Sequence, residues 1–201
     1  MEAPSRSPFV HGPNGPEKCG NLSSVPMTEP NVALMDRAQL ARERDALIAL
    51  LTDAVESGAS VGFLPPLDAG QAEEYWDGVS EAIGESGRKV LGLWVEGVLA
   101  GAVQLQCATM PNGSHRAEVM KLMVHRRFRG RGLARRLMAA VEEEGRRQGL
   151  RLLVLDTREG DTADAVYRRL GWQAAGVIPV YARGADGSLH ATVFFYKELL
   201  P

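Results

Sequence analysis

Cysteine is scarce in this 201-residue chain, with only Cys19 and Cys107, in unrelated contexts. Two isolated thiols do not make a disulfide framework, so a reducing, cytoplasmic setting is expected. The four histidines (His11, His115, His125 and His190) show no His-x3-His spacing, and the cysteines show no Cys-x2-Cys. No metal site is expected from them. No apolar run approaches the roughly 20 residues of a membrane helix, and residues 1–27 lack the apolar core of a secretory signal. No membrane partner is therefore expected. Excess charge is missing too: 23 basic residues face 25 acidic ones, for a net charge of −2. Such a balance argues against a nucleic-acid partner for the whole surface. No internal repeats occur.

What is present is ordinary globular material. Hydrophobic residues make up 45% and charged residues 24%, enough for one domain with a real core. Residues 1–27 carry Pro4, Pro8, Pro13, Pro16 and Pro26 among glycine, serine and asparagine. Such a stretch buries too little apolar surface to offset its ordering entropy and reads as a disordered extension, leaving residues 28–201 as the domain.

Within the domain, "NVALMD" is a short strand. Leu40, Leu47, Leu50, Leu51 and Val55 then recur at helical spacing over residues 39–58. After the loop "GASVGFLPPLDAG", "QAEEYWDGVSEAIG" is a second helix. "KVLGLWV" and "VLAGAVQLQCA" flank a Glu-Gly turn and predict a hairpin. Residues 115–124 read as a strand and residues 131–147 as a helix. That helix presents Leu133, Leu137, Ala140 and Val141 on one face, with Glu142–Arg146 and Glu143–Arg147 pairs on the other. "LRLLVLD" suits a strand buried on both faces. Asp161 and Gly171 bound a short helix, and two strands joined by "GADGS" close the chain. The order β-α-α-β-β-β-α-β-α-β-β predicts an α/β fold with one mixed sheet of about seven strands.

The most distinctive stretch is residues 124–136, with six arginines and two glycines. A Rossmann loop would place its first glycine close behind the strand and supply a third glycine; here His125 to Arg129 intervene and the third glycine is missing, although Asp156 mimics the ribose-binding acid. A P-loop would need Gly-Lys-Ser/Thr. A solvated basic turn or a nucleic-acid patch is the plain alternative, but Phe128 is the only aromatic in it. A phosphate cradle accounts for more. Gly130 and Gly132 can bring bare amides close to an anion, and those amides run into the start of a helix, through Arg131 and Leu133, whose dipole favours phosphate. Arg127, Arg129 and Arg131 add charge-assisted donors.

The spacing Arg127-x-x-Gly130-x-Gly132 resembles the signature of the GNAT acetyltransferases. "GASVGF", "WDG", "PNG", "RAEVMKLMV", "RGRGLARRLM", "LDT" and "DGSLHAT" together look like the tabtoxin-resistance type of that family, which acetylates a small β-lactam amino acid. The resemblance implies a GNAT-like sheet with helices on both faces and a central parallel strand pair, residues 122–124 and 152–156, that splays apart. It implies acetyl-CoA as co-substrate, with its phosphates at the glycine loop. Its pantetheine would lie along the backbone of Leu122, Met123 and Val124, and the amide of Leu122 or Met123 would face the oxyanion of a tetrahedral intermediate.

Strand alternation puts Glu118, Met120, Leu122 and Val124 on one face. Glu118 is a candidate base, taking a proton through water from the incoming ammonium; the other reading pairs it with Arg116 or a neighbouring arginine. Asp156 ends an apolar strand where α/β sheets open onto clefts, and the resemblance places it across from Glu118. Two close carboxylates would raise one pKa; otherwise Asp156 caps its own loop. Tyr167 matches the family's tyrosine before Gly-aromatic and is a candidate acid for the leaving thiolate, or else a half-buried tyrosine bonded to a carbonyl. Tyr181 and His190 are further candidates for the acceptor side. Cys107 and the methionines are expected to pack.

The expected activity is N-acetyl transfer from acetyl-CoA, without a metal, to a small amino-acid-like amine such as a toxin or antibiotic. A non-catalytic acyl-CoA sensor and a nucleotide- or nucleic-acid-binding module are the alternatives. The sequence is compatible with a homodimer.

Overall fold

Strand β1 (Asn31–Met35) runs along one edge of a seven-stranded sheet. In the computed structural model, residue 1 and residues 29–84 and 86–199 are described. The extension expected over residues 1–27 therefore lies, apart from Met1, outside the described residues.

The helix expected over residues 39–58 is two helices, α1 (Arg37–Arg42) and α2 (Arg44–Glu56). Asp36 starts α1 with a reciprocal cap: it accepts from the Gln39 amide while Gln39 accepts from its own. The break falls at Glu43, where the backbone leaves helical geometry (φ −96, ψ 9) and the side chain takes a hydrogen bond from Trp94 Nε1 at 3.1 Å. Periodicity alone misses it, because apolar spacing continues through the break. Helix α3 (Ala69–Ala82) has the same kind of cap at Asp68.

Strands β2 (Arg88–Val95) and β3 (Val98–Cys107) form the expected hairpin. Its two turn residues, Glu96 and Gly97, both have positive φ, 51 and 78 degrees, the geometry that matches strand twist in a two-residue turn. Then follow β4 (Arg116–Val124), α4 (Leu133–Arg147), β5 (Leu152–Arg158), α5 (Thr162–Arg169), β6 (Gln173–Arg183) and β7 (Leu189–Glu198). Asp161 caps α5 through the Thr162 amide, and Gly171 (φ 80) turns the chain out of it. The sheet order is β1-β2-β3-β4-β5-β7-β6, and β4–β5 is its parallel pair.

Each face of the sheet carries a core. On one side Leu133, Leu137, Met138 and Val141 of α4 pack with Leu93, Leu105, Leu153 and Phe195. On the other, Leu47, Leu50 and Leu51 of α2 and Trp76 and Val79 of α3 cover Val90, Ala102 and Met123. Among the described residues no helix is long and apolar enough to cross a membrane.

The charge pattern expected on α4 is displaced by one residue. Glu143 pairs with Arg146 and Glu144 with Arg147, while Glu142 points inward. It accepts from the Trp172 indole at 3.1 Å and from Lys197 Nζ at 2.8 Å, and Lys197 also bonds the Leu170 carbonyl. The site thereby ties α4, β7 and the turn after α5 together behind Tyr167. Breaking a buried pair from one side costs about 3 kcal/mol or more. Glu142→Ala is therefore expected to lower stability by about that amount, read in thermal or urea unfolding; a change within experimental error would show that the ammonium finds water at no cost.

Candidate active site

Parallel pairing between β4 and β5 ends at Glu118↔Val154, although β4 continues to Val124 and β5 to Arg158. Beyond that point the two strands separate. The divergence has a cause inside β4. Against β3, Gln104 pairs with Met120 and Ala102 with Met123, so β4 carries one extra residue there. Lys121 sits in this bulge with φ 53. A bulge bends its strand and re-aims the side chains beyond it.

The bulge corrects the expected alternation. Ala117 and Val119 belong to the core on the α4 side, but Met123, which unbroken alternation would put with them, belongs to the α2–α3 side. Leu122 and Val124 have turned to the α4 side. Glu118 and Met120 therefore do not share a face with Leu122 and Val124. All of residues 118–124 nevertheless line one cleft of about 1440 Å³, because the gap between the strands opens it through the sheet.

Glu118, Asp156 and Tyr167 all border this cleft. Asp156 stands two residues beyond Val154, the partner of Glu118, so the pleat puts the two carboxylates on the same face. Burial raises the Glu118 carboxyl above the usual carboxylate range, and the Asp156 charge raises it further against the pull of Lys121, Arg88 and Arg116. Glu118 has no ion-pair partner among the described residues. Burial raises Asp156 as well, opposed by Lys121 and by the bond to its own amide. It caps no loop. Tyr167 comes from the other face: its ring packs against Trp172 and Phe195 in the α4-side core. Burial holds its phenol strongly protonated, and the charges of Asp156 and Asp161 add to that. No described residue hydrogen-bonds its hydroxyl. The splayed strands thus let two carboxylates from one face and a phenol from the other meet at one opening.

A raised carboxyl pKa in the fold has a consequence for stability. The folded chain holds the Glu118 proton more tightly than the unfolded chain does, so ionisation costs stability as pH climbs through the folded-state pKa. Glu118→Gln should therefore melt higher than the parent at neutral pH, and the difference should vanish in acid, where the parent is protonated. A variant that melts lower at neutral pH would mean the carboxylate is paired and stabilising.

The other end of the cleft is built by the glycine loop. Gly130 and Gly132 have φ 77 and 74, and a Cβ on either would meet nothing within 4 Å. Gly132 is also the N-cap of α4 and cannot cap it with a side chain. Gly130, Gly132, Leu133 and Arg135 line the cleft, so the open start of α4 presents amides and positive dipole there. Of the loop arginines, Arg129 borders the cleft, with Nε on the Val124 carbonyl at 2.9 Å. Arg127 and Arg131 stack on Phe128, at 5.5 and 5.6 Å.

Two features escaped the reading of the sequence. Asp53, a buried acid on α2, accepts from the Arg126 amide at 2.9 Å and from its guanidinium, with Arg129 at 3.5 Å and His125 at 3.7 Å. It anchors the glycine loop to the helix that leads into residues 58–62 on the cleft's other wall. Its signal was an acid between Leu50, Leu51, Ala54 and Val55 on an inward stripe. Lys121 is the second, signalled by a lysine inside "VMKLMV". Tyr181 lines the cleft, edge-on to Phe194. His190 bonds Ser188 at 2.8 Å in the last turn and is not part of the cleft wall. Cys107 is likewise outside it, its thiol raised by burial. No cluster of metal-ligating side chains occurs among the described residues.

Residues 39–172 match the model of the Acetyltransferase (GNAT) family. An uncharacterized N-acetyltransferase from the hisH-hisA intergenic region of Azospirillum brasilense is 37% identical over 138 residues, covering 66% of this chain and 78% of that protein. Among solved structures, Salmonella typhimurium yncA, determined with its cofactor acetyl-CoA, superposes with a TM-score of 0.70 at 19% identity, over 87% of this chain and 96% of its own. The ribosomal-protein-alanine N-acetyltransferase of Brucella melitensis gives 0.68 at 22% identity, over 84% and 99%. These two likenesses concern the fold.

Proposed function

The chain belongs to the GNAT family, as an acetyl-CoA-dependent N-acetyltransferase, and we propose that its acceptor is the amine of a small amino-acid-like molecule, attacked directly and without an acetylated protein. The observation that carries this reading is the shared cleft: Glu118, Asp156 and Tyr167 meet at one opening, and the uncapped start of α4 borders the same space.

Gly130, Gly132 and Leu133 hold the diphosphate of acetyl-CoA through backbone amides, with Arg129 and Arg135 at the rim and Arg127 and Arg131 adding positive potential from outside it. This fits the open space at both glycines and the missing side-chain cap. Leu122, Met123 and Val124 lie beyond the last β4–β5 pair and offer backbone groups to pantetheine. The amide of Leu122 or Met123 donates to the oxyanion as the amine adds. Glu118, raised by burial and by Asp156, accepts the ammonium proton through water and frees the lone pair. Asp156 keeps that pKa high and is the alternative base. Tyr167, neutral and with no described residue bonded to its hydroxyl, donates to the departing thiolate.

The resemblance of "GASVGF", "RAEVMKLMV" and "DGSLHAT" to the tabtoxin-resistance type supports an acceptor of the β-lactam amino-acid kind, with toxin or antibiotic inactivation as the role. A thiol-release assay with acetyl-CoA and a panel of amino acids, β-lactam amino acids and aminoglycosides tests this. Turnover is expected with the amino-acid members; turnover confined to aminoglycosides would overturn the acceptor class.

A further inference from the structure

The cleft contains a cation that acetyl transfer itself does not employ. Lys121 lies in the β4 bulge with φ 53, a conformation uncommon for a long side chain. Its ammonium stands 5.6 Å from the ring centroids of both Phe63 and Tyr75, which pack edge to face at 5.4 Å. Tyr75 donates to Gln104 at 3.0 Å and is pushed up to about 12 by burial, so it faces Lys121 as a neutral ring. On the remaining side is Gly62, where a Cβ would come within 3.0 Å of Nζ. Two aromatic faces and a glycine thus shape a slot for this ammonium on the cleft wall.

The slot leaves the ammonium short of partners. Cation–π attraction does not occupy its three N–H donors. No carboxylate or carbonyl among the described residues hydrogen-bonds them; Glu118 and Asp156 act only through their charge, while burial and Arg88 disfavour the charged form. A partly desolvated ammonium gains most from one charge-assisted acceptor.

We propose that Lys121 selects the acceptor: it binds a carboxylate carried next to the reacting amine, while Glu118 and Asp156 receive the ammonium end. The inference rests on the reading of this cleft as the amine site. It narrows the substrate class to zwitterionic amino acids with a free carboxylate. Where the strands part, Lys121 beside Glu118 and Asp156 complements such a molecule in both halves. A polyamine would meet the lysine as a like charge, and an amide or ester would leave it unpaired, so the same residue attracts one class and rejects two.

The test compares α-amino acids with their carboxamides as acceptors, in the parent protein and in Lys121→Met, which keeps an unbranched apolar stem between the rings. The parent is expected to favour the free acid by about tenfold or more in kcat/KM, the effect of one charge-assisted hydrogen bond. Removing the Lys121 charge also lets the Glu118 pKa rise, so the two acceptors are compared on the plateau above the Glu118 limb. There Lys121→Met should lose that preference through a higher KM for the acid, with the amide within about twofold of the parent and acetyl-CoA affinity by calorimetry unchanged. Lys121→Arg, which keeps the charge, should retain part of the preference. Equal losses on acid and amide, or a parent that prefers amides, would overturn the assignment of Lys121 alone. Turnover confined to polyamines or aminoglycosides would overturn it together with the amino-acid reading of the cleft. If the Met variant does not fold, the parent's choice between acid and amide still decides.

Discussion

Gly132→Glu is expected to abolish acetyl-CoA binding while leaving the protein folded. A Cβ at this position would meet nothing within 4 Å, so its addition forces no backbone shift. The cost to folding is the left-handed conformation, about 1–2 kcal/mol for a residue with a Cβ. An acid at the start of α4 is itself favoured by the helix dipole and offsets part of that cost. The same acid occupies the place of the diphosphate and repels it. Losing two charge-assisted hydrogen bonds, at roughly 1.5–3 kcal/mol each, corresponds to about 10²–10⁴-fold in affinity. Arg127→Ala should cost far less, since its guanidinium sits over Phe128 outside the cleft and the backbone donors remain. Calorimetry on folded variants checks both. Unchanged affinity in Gly132→Glu would remove the anion cradle from the mechanism.

The second large effect separates base from acid. General acid–base groups contribute about 10²–10⁴-fold, and Glu118→Gln and Tyr167→Phe should each fall in that range. Their pH dependence should differ. In the parent, kcat/KM should rise with pH as Glu118 ionises, at a pH above the ordinary carboxylate range because burial and Asp156 hold its proton. Glu118→Gln should lose that limb. It should recover part of its rate in alkali, where free amine forms without help. Tyr167→Phe should keep the Glu118 limb and gain nothing from alkali, but a thioester with a more acidic thiol should restore it. The Tyr167 phenol stays protonated across this range, so its donor role does not titrate away. A Glu118→Gln defect that is constant through alkaline pH would pass the role of base to Asp156.

Local signals of one or two residues were legible in advance. The Arg127-x-x-Gly130-x-Gly132 spacing, the Glu96-Gly97 turn, the Asp161 cap and the Gly171 stop each reflect a backbone requirement that few residues meet. The succession of strands and helices along the chain followed from them together with the apolar pattern, the break at Glu43 apart. The β4 bulge did not, because one inserted residue leaves the composition of "RAEVMKLMV" unchanged while reversing every face beyond it. That single residue separates Glu118 from Leu122 and Val124 and sets Lys121 in its slot. Glu142 was misplaced for a related reason: a glutamate on a helix reads as solvent-facing until Trp172 and Lys197, remote in sequence, supply its partners. Asp53 likewise depends on Arg126 and Arg129, which the sequence places far away. Long-range pairing of charge is what the linear pattern hides.

Direct transfer between two ligands in one cleft is most directly tested by following the acetyl group itself. The protein is mixed with acetyl-CoA labelled in the acetyl carbons, sampled before and after an amino-acid acceptor is added, and both protein and small molecules are examined by mass spectrometry. No cysteine among the described residues lines the cleft, so the account predicts an unlabelled protein before the acceptor arrives. Afterwards, one labelled acetyl group on the acceptor nitrogen should appear for each free thiol released. Label held covalently on the protein without acceptor would contradict direct attack. Bound acetyl-CoA that transfers to no amine would contradict the enzyme itself.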